Sequence, residues 1–187
     1  DIVKKSSIDI EAFIHGGMCA SVSGRCMLSN CLTNRDANRG GCAQSCRWDY
    51  DIVDQNHNKI SKGDHSFTMS SADLNAIDYI AELIDAGVTS LKIEGRMKSL
   101  YYIANVVGTY RKLIDEYYLN KSLKDLNKYK IEMSRGENRE TSIGFLAGDV
   151  TTKEEIYNEI AQLPNQEFVG VLKEYDSSIG DDDVTVE

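Results

Sequence analysis

Five cysteines stand between Cys19 and Cys46, in a stretch rich in Gly, Asn and Ser with almost no apolar periodicity. Six, four, ten and three residues separate each from the next. Thiolates ligate zinc and iron–sulfur clusters, and a long loop with no core of its own needs some ordering element. Disulfides account for the loop less well, because the first residues show no secretory leader and the count is odd. Zinc thiolates ordinarily come in pairs separated by about two to four residues, and only Cys42 and Cys46 meet that spacing. With Cys31 left out, the gaps become six, fifteen and three. The six-residue gap leans toward a cluster, and scattered reduced thiols are the alternative.

Other chemically capable residues surround the loop. Glu11 and His15 share a face if residues 8–15 form a strand, and could act as an acid/base or substrate-orienting pair. Arg25, Arg35, Arg39 and Arg47 face only Asp36 in the span from Gly24 to Arg47, a local charge of +3. Such a cluster suits phosphate or carboxylate, with a solvated loop surface as the alternative. Glu94-Gly-Arg-Met-Lys98 forms a turn after an apolar run, so Glu94, Arg96 and Lys98 are site candidates or ordinary helix-start charges. Neither a His-Glu-x-x-His zinc motif nor a Gly-x-Ser-x-Gly elbow is present.

These residues need elements to position them. Ile8, Ile10, Ala12 and Ile14 alternate, as in a strand. Tyr50-Asp-Ile-Val-Asp and Lys59-Ile-Ser-Lys around Gln55-Asn-His-Asn predict a hairpin. Ser70 and Asp73 resemble a capping box before the stripe Leu74, Ile77, Ile80, Ala81 and Ile84, with Gly87 at the C-terminal cap, so a helix is expected from Ser70. Val88–Ile93 reads as a strand, and Leu100, Ile103, Val107, Tyr110, Ile114 and Tyr117 as the core stripe of a longer helix. Helix, strand, polar turn, helix is the rhythm of a parallel α/β fold, whose ligands lie at the C-terminal ends of strands. Lys121 to Lys130 reads as a linker. Beyond it are expected a strand from Ser142, a short helix from Thr152 to Leu163, a strand over Phe168–Tyr175 and a disordered acidic tail.

Composition sets the outer bounds. The 187 residues are 41% hydrophobic and 27% charged, which excludes collagen-like, low-complexity and wholly disordered classes. No apolar run approaches the roughly 18 residues of a membrane span. Net charge is −9, and Glu174, Asp176, Asp181, Asp182, Asp183 and Glu187 supply −6 of it. A global basic footprint for nonspecific nucleic-acid binding is therefore absent. Asp1-Ile-Val-Lys-Lys reads as part of a longer chain.

Three segments together resemble peptidase family U32: Glu11-Ala-Phe-Ile-His-Gly-Gly-Met-Cys19, Ser23-Gly-Arg-Cys26-Met-Leu-Ser29, and Asn38-Arg-Gly-Gly-Cys42-Ala-Gln-Ser-Cys46-Arg47. Ser90-Leu-Lys-Ile-Glu-Gly-Arg-Met-Lys98 continues the likeness, and Gly17 departs from it where Ala or Ser is usual. The resemblance implies an α/β fold in which residues 1–119 form the C-terminal part of a TIM-type (β/α) barrel carrying the cysteine loop, 16–47. Residues 120–187 would be a linker and a truncated, β-rich C-terminal domain with an acidic tail.

For function, the resemblance implies an oxygen-independent, [4Fe–4S]-dependent hydroxylase of tRNA wobble uridine with prephenate as hydroxyl donor. Cys19, Cys26, Cys42 and Cys46 would be the cluster ligands. Glu11 and His15 would be the catalytic pair, and Arg25, Arg39, Arg47, Glu94, Arg96 and Lys98 would contact substrate. Implied partners are tRNA and a second U32-family subunit, in the cytoplasm and without a membrane. The alternatives are a collagenase-like peptidase of the same family, or a non-catalytic module ordered by zinc.

Overall fold

A computed structural model describes residues 2–22, 25–60, 69–136 and 139–148, together with the backbone at 172–174 and 185–186. Its centre is a four-stranded mixed sheet, ordered β3-β1-β2-β4. Strand β1 spans Glu11–Gly17, β2 Asp73–Asn75, β3 Ser90–Ile93 and β4 Thr141–Ser142. β1 runs parallel to β3 and antiparallel to β2, while β2 is parallel to β4. Helices α1 (Ile2–Lys5), α2 (Leu28–Thr33), α3 (Ile80–Asp85), α4 (Leu100–Asn120) and α5 (Leu126–Ser134) complete the main body. Among the described residues, no helix is long and apolar enough to cross a membrane.

The expected strand, turn, helix succession is present as β3 followed by α4. Ser99 starts α4 by accepting a hydrogen bond from the Tyr102 amide, the N-cap role that a short hydroxyl side chain performs well. The buried stripe is Tyr102, Val106, Thr109, Tyr110, Leu113 and Tyr117. It is rotated from the expected one: Leu100 and Val107 are exposed, and Leu113 is fully buried. A helix of this length admits two neighbouring apolar stripes, and packing against Ile14, Ala76, Ile77 and Ile80 selects between them.

Four expectations about elements are corrected. No helix begins at Ser70: Asp73–Asn75 is strand β2, a 3-10 turn covers Ile77–Tyr79, and α3 starts only at Ile80. Asp73 caps nothing, because its carboxylate is buried among cations. The stretch read as a linker holds α5, which starts at the Asp125 cap and buries Met133 in the core. Asn105 on α4 fixes it by donating to the Glu132 carbonyl at 2.9 Å. The strand expected from Ser142 stops there, since Gly144 turns the chain and donates to Ser142 Oγ at 3.0 Å.

In the acidic tail, Thr185–Val186 forms β6, which pairs antiparallel with β5 at Leu172–Glu174. The hairpin near residue 55 is present as a bridge between Val53 and Lys59. Asp54 shapes its turn by accepting from the Asn56 and Asn58 amides. The helix expected over Thr152–Leu163 lies outside the described residues.

The cysteine-lined cavity

Chain direction places the cysteine loop. β1 and β3 are parallel, so the segment leaving Gly17 and the turn leaving Ile93 emerge at the same end of the sheet. Gly16 makes this end compact. Its φ is +118°, and a Cβ there would lie 2.5 Å from the Glu94 carbonyl oxygen. The Glu94 amide meanwhile donates to the His15 carbonyl at 2.9 Å.

Polar bonds, not a hydrophobic core, order the loop that follows. Buried Ser29 donates to the Arg35 carbonyl at 2.8 Å and accepts from the Ala43 amide at 3.0 Å, joining both arms. Asn38 accepts from the Cys26 amide and donates to the Cys26 carbonyl, both at 3.2 Å. Tyr50 donates to the Ser45 carbonyl at 2.6 Å, bracing the 3-10 turn Ser45–Arg47 that carries Cys46. Arg96 ties in the β3 turn by donating to the Gly40 carbonyl at 3.0 Å.

This stitching brings Cys19, Cys26, Cys42 and Cys46 to the wall of one cavity of about 350 Å³, with Met27 and Leu28 among its apolar lining. Cys31 lies on α2, is exposed and does not line the cavity. Two of the sulfurs accept backbone hydrogen bonds: Cys19 from the Ser21 amide at 3.4 Å, and Cys42 from the Gln44 amide at 3.2 Å. Such bonds stabilise thiolates and tune clusters held by them. Burial pushes the Cys46 thiol up; Arg47 opposes this, and the charges of Cys19, Cys42 and Cys26 add to it. Cys46 therefore lies within the field of the other three.

Among the described residues, no three His, Cys, Asp or Glu side chains are arranged to hold a single metal ion. Four thiols are a donor set that zinc and iron–sulfur clusters share, and all four line this one cavity.

Behind the cavity lies a buried polar cluster that sequence reasoning only half found. Asp73 is its centre: Oδ1 accepts from Arg47 at 3.0 Å, and Oδ2 accepts from Lys98 at 2.8 Å. Arg139 Nε lies 3.6 Å from Oδ1. Burial alone would raise the Asp73 pKa, but Lys98 and Arg47 outweigh it and hold the carboxyl below its ordinary value. Lys98 also sits 4.9 Å from the centre of the Tyr102 ring, a cation–π arrangement. Asp73 shows only the cap-like spacing from Ser70, and Arg139 carries no motif. The pairing of β2 with β4 brings them together, and no spacing in the sequence reports it.

His15 and Glu11 are not a pair. The register between β1 and β3 slips between Phe13 and His15, and the alternation fails there, leaving Ile14, His15 and Gly16 consecutively buried. Glu11 is exposed at the other end of β1 and accepts from Ser90 Oγ at 2.7 Å. Four residues of strand separate the two by about 13 Å. His15 is fully buried, with Nδ1 3.2 Å from the Tyr110 hydroxyl. Its Nε2 has no hydrogen-bond partner among the described residues. Of the other candidates, Arg25 and Arg39 are exposed, while half-buried Glu94 accepts from the Arg96 amide at 3.1 Å.

Burial pulls the His15 pKa down from 6.5 to about 4; Asp73 opposes the shift, Lys98 adds to it and Asn75 opposes it. The folded chain thus keeps a neutral imidazole. The unfolded chain binds one proton more between those two values, so stability is full above the upper one and falls as pH drops toward the lower. The loss is on the order of 3 kcal/mol. Urea unfolding across that window measures it, and a His15→Gln variant is expected to flatten the slope.

Fold and site together define an α/β protein with a cysteine-lined cavity at the C-terminal end of its central strand. The sequence pattern of peptidase family U32 matches residues 1–156, and the chain belongs to that family. A Bacillus subtilis (strain 168) protein named tRNA hydroxylation protein P1 is 44% identical over 181 residues, covering 94% of this chain and 43% of that protein. An Escherichia coli (strain K12) protein named 23S rRNA 5-hydroxycytidine C2501 synthase is 43% identical over 106 residues, covering 57% of this chain and 16% of that protein. A Porphyromonas gingivalis protein named Collagenase is 40% identical over 114 residues, covering 61% of this chain and 28% of that protein. The chain thus spans less than half the length of these relatives. No solved structure matches it.

Proposed function

We propose that this chain is the cysteine-bearing part of an enzyme that hydroxylates tRNA at the wobble uridine, without oxygen and with prephenate as hydroxyl donor. Cys19, Cys26, Cys42 and Cys46 are assigned as ligands of a [4Fe–4S] cluster. The observation that carries this reading is their convergence on one cavity while Cys31 stays outside it. Relatives named for tRNA hydroxylation in Bacillus subtilis and Helicobacter pylori, and for rRNA hydroxycytidine synthesis in Escherichia coli, support RNA as the substrate class. We read β1, β3 and α4 as a β/α unit of a TIM-type barrel belonging to a longer cytoplasmic protein, which a second U32-family subunit joins.

The bound cluster supplies one-electron chemistry beside the substrate. The chain's own residues then have distinct tasks. Exposed Arg25 and Arg39 meet RNA phosphate at the loop surface. Arg47 and Lys98 are assigned to the carboxylates of the donor on charge alone; both are bonded to Asp73. Neutral His15 holds a buried lone pair or N–H behind them, while Glu11 is too distant to share its proton.

The test is anaerobic purification of the full-length protein followed by its visible spectrum, with mass spectrometry of tRNA from a strain lacking the gene. A cluster spectrum and loss of wobble hydroxylation are expected. Unchanged hydroxylation in a strain without a redundant route overturns the RNA assignment. Gelatin cleavage by cluster-free protein would instead place the chain with the relative named Collagenase.

A further inference from the structure

Arg47 follows Cys46 directly, and its guanidinium bridges two distant segments. Nη1 donates to Asp73 Oδ1 at 3.0 Å, and Nη2 donates at 3.3 Å to the carbonyl of Met18, the residue before Cys19. Ser71, two residues before Asp73, donates to the same Met18 carbonyl at 2.8 Å. The chain entering the cavity at Cys19 and the turn carrying Cys46 are thus pinned to one another and to β2. The Arg47 and Asp73 side chains are only 13% and 4% exposed, so solvent weakens the pin little. Arg139 secures it from behind, donating to Ser70 Oγ at 2.7 Å and to the Ser71 carbonyl at 2.8 Å.

We propose that Asp73 is a positioning residue for the thiol site, acting through the Arg47 fork to set the approach of Cys19 to Cys46. It touches no thiol itself. Its carboxylate orients the guanidinium so that Nη1 reaches Asp73 while Nη2 reaches Met18, a fixed two-nitrogen spacing that the single nitrogen of a lysine does not reproduce. The first and last cysteines of the cavity are far apart in the chain, and this contact fixes their geometry before any group binds. The cluster's uptake and reduction potential therefore depend on Asp73 and Arg47. The inference rests on the four-thiol cluster reading above.

The test uses the full-length protein. Arg47→Lys keeps the charge and removes the fork; with far-UV circular dichroism unchanged, it is expected to bind iron and sulfide at least about tenfold more weakly after anaerobic reconstitution. Its remaining cluster should show a shifted midpoint potential. Ser71→Ala, a gentler change at the same carbonyl, should shift the potential in the same direction by less, and it decides the matter if Arg47→Lys fails to fold. Lys98→Gln removes a different cation from the same carboxylate but leaves the fork in place, and should keep wild-type iron content.

Wild-type uptake and potential in the fork variants overturn the proposal. So does an equal loss in Lys98→Gln, which would make Asp73 a general ion-pair hub. If the wild-type protein itself takes up no cluster, the cofactor reading has failed, and the clamp is decided on the metal-free chain. A short bifunctional thiol reagent should then bridge Cys19 to Cys46 in the wild type and much less in Arg47→Lys. Equal bridging in the two overturns the clamp as well.

Discussion

On the four-thiol reading proposed above, Cys26→Ser is expected to abolish reconstitution of an iron–sulfur cluster, and Cys31→Ser to leave it intact. The two residues are close in sequence and chemically identical, so composition offers no reason to separate them. The tertiary structure does. Cys26 lines the cavity, and its amide and carbonyl are both held by Asn38. Cys31 sits on α2, exposed, with its amide donating to the Met27 carbonyl in an ordinary helical bond. Serine keeps the size of cysteine but is a poor ligand for iron, so losing one of four thiolates is expected to lower bound iron more than about tenfold. The exposed site should change stability by no more than about 0.5 kcal/mol. Iron and acid-labile sulfide per chain check both variants. Equal loss in the two would remove Cys31 from its bystander position and with it the proposed ligand set.

Gly16→Ala is expected to destabilise the fold by about 3 kcal/mol, from backbone strain and overlap together. At φ +118° an L side chain is strained whatever the space around it. Here the space is also taken, by the backbone carbonyl oxygen of Glu94 and not by the far end of a flexible side chain. Relief must come from separating β1 and β3, which moves His15 and the entry to Cys19 together. Gly17 provides the contrast. A Cβ there would meet Arg47 Nη2 at 2.4 Å, the far end of a flexible side chain, and no left-handed φ applies. Gly17→Ala should therefore cost less than Gly16→Ala while disturbing the Arg47 fork. Urea unfolding of both variants beside the wild type ranks them. A Gly16→Ala cost below that of Gly17→Ala would contradict the strain argument.

Local signals were legible where local physics decides. The apolar repeat from Leu100 to Tyr117 marks α4, and the apolar run Val88–Ile93 marks β3. The same kind of reading misplaced Ser70–Gly87. Ser70 and Asp73 have the spacing of a helix cap, but β1 and β4 supply strand partners, and three cations supply a better use for the carboxylate. It also paired Glu11 with His15, because period-2 reasoning cannot anticipate a register slip between Phe13 and His15.

By itself the sequence determined the α/β class and the family, and it singled out the thiols as candidate ligands. Spacing, residue type and apolar period are local properties, and a candidate ligand set compressed into one loop is written almost entirely in them. Only the tertiary structure decided that Asp73, Lys98, Arg47 and Arg139 form one cluster, that His15 is neutral and apart from Glu11, and that Cys31 is outside the cavity. The reason is physical. Buried charges find their partners across sheet pairings between segments far apart in the chain, and their energies depend on burial that no local pattern encodes.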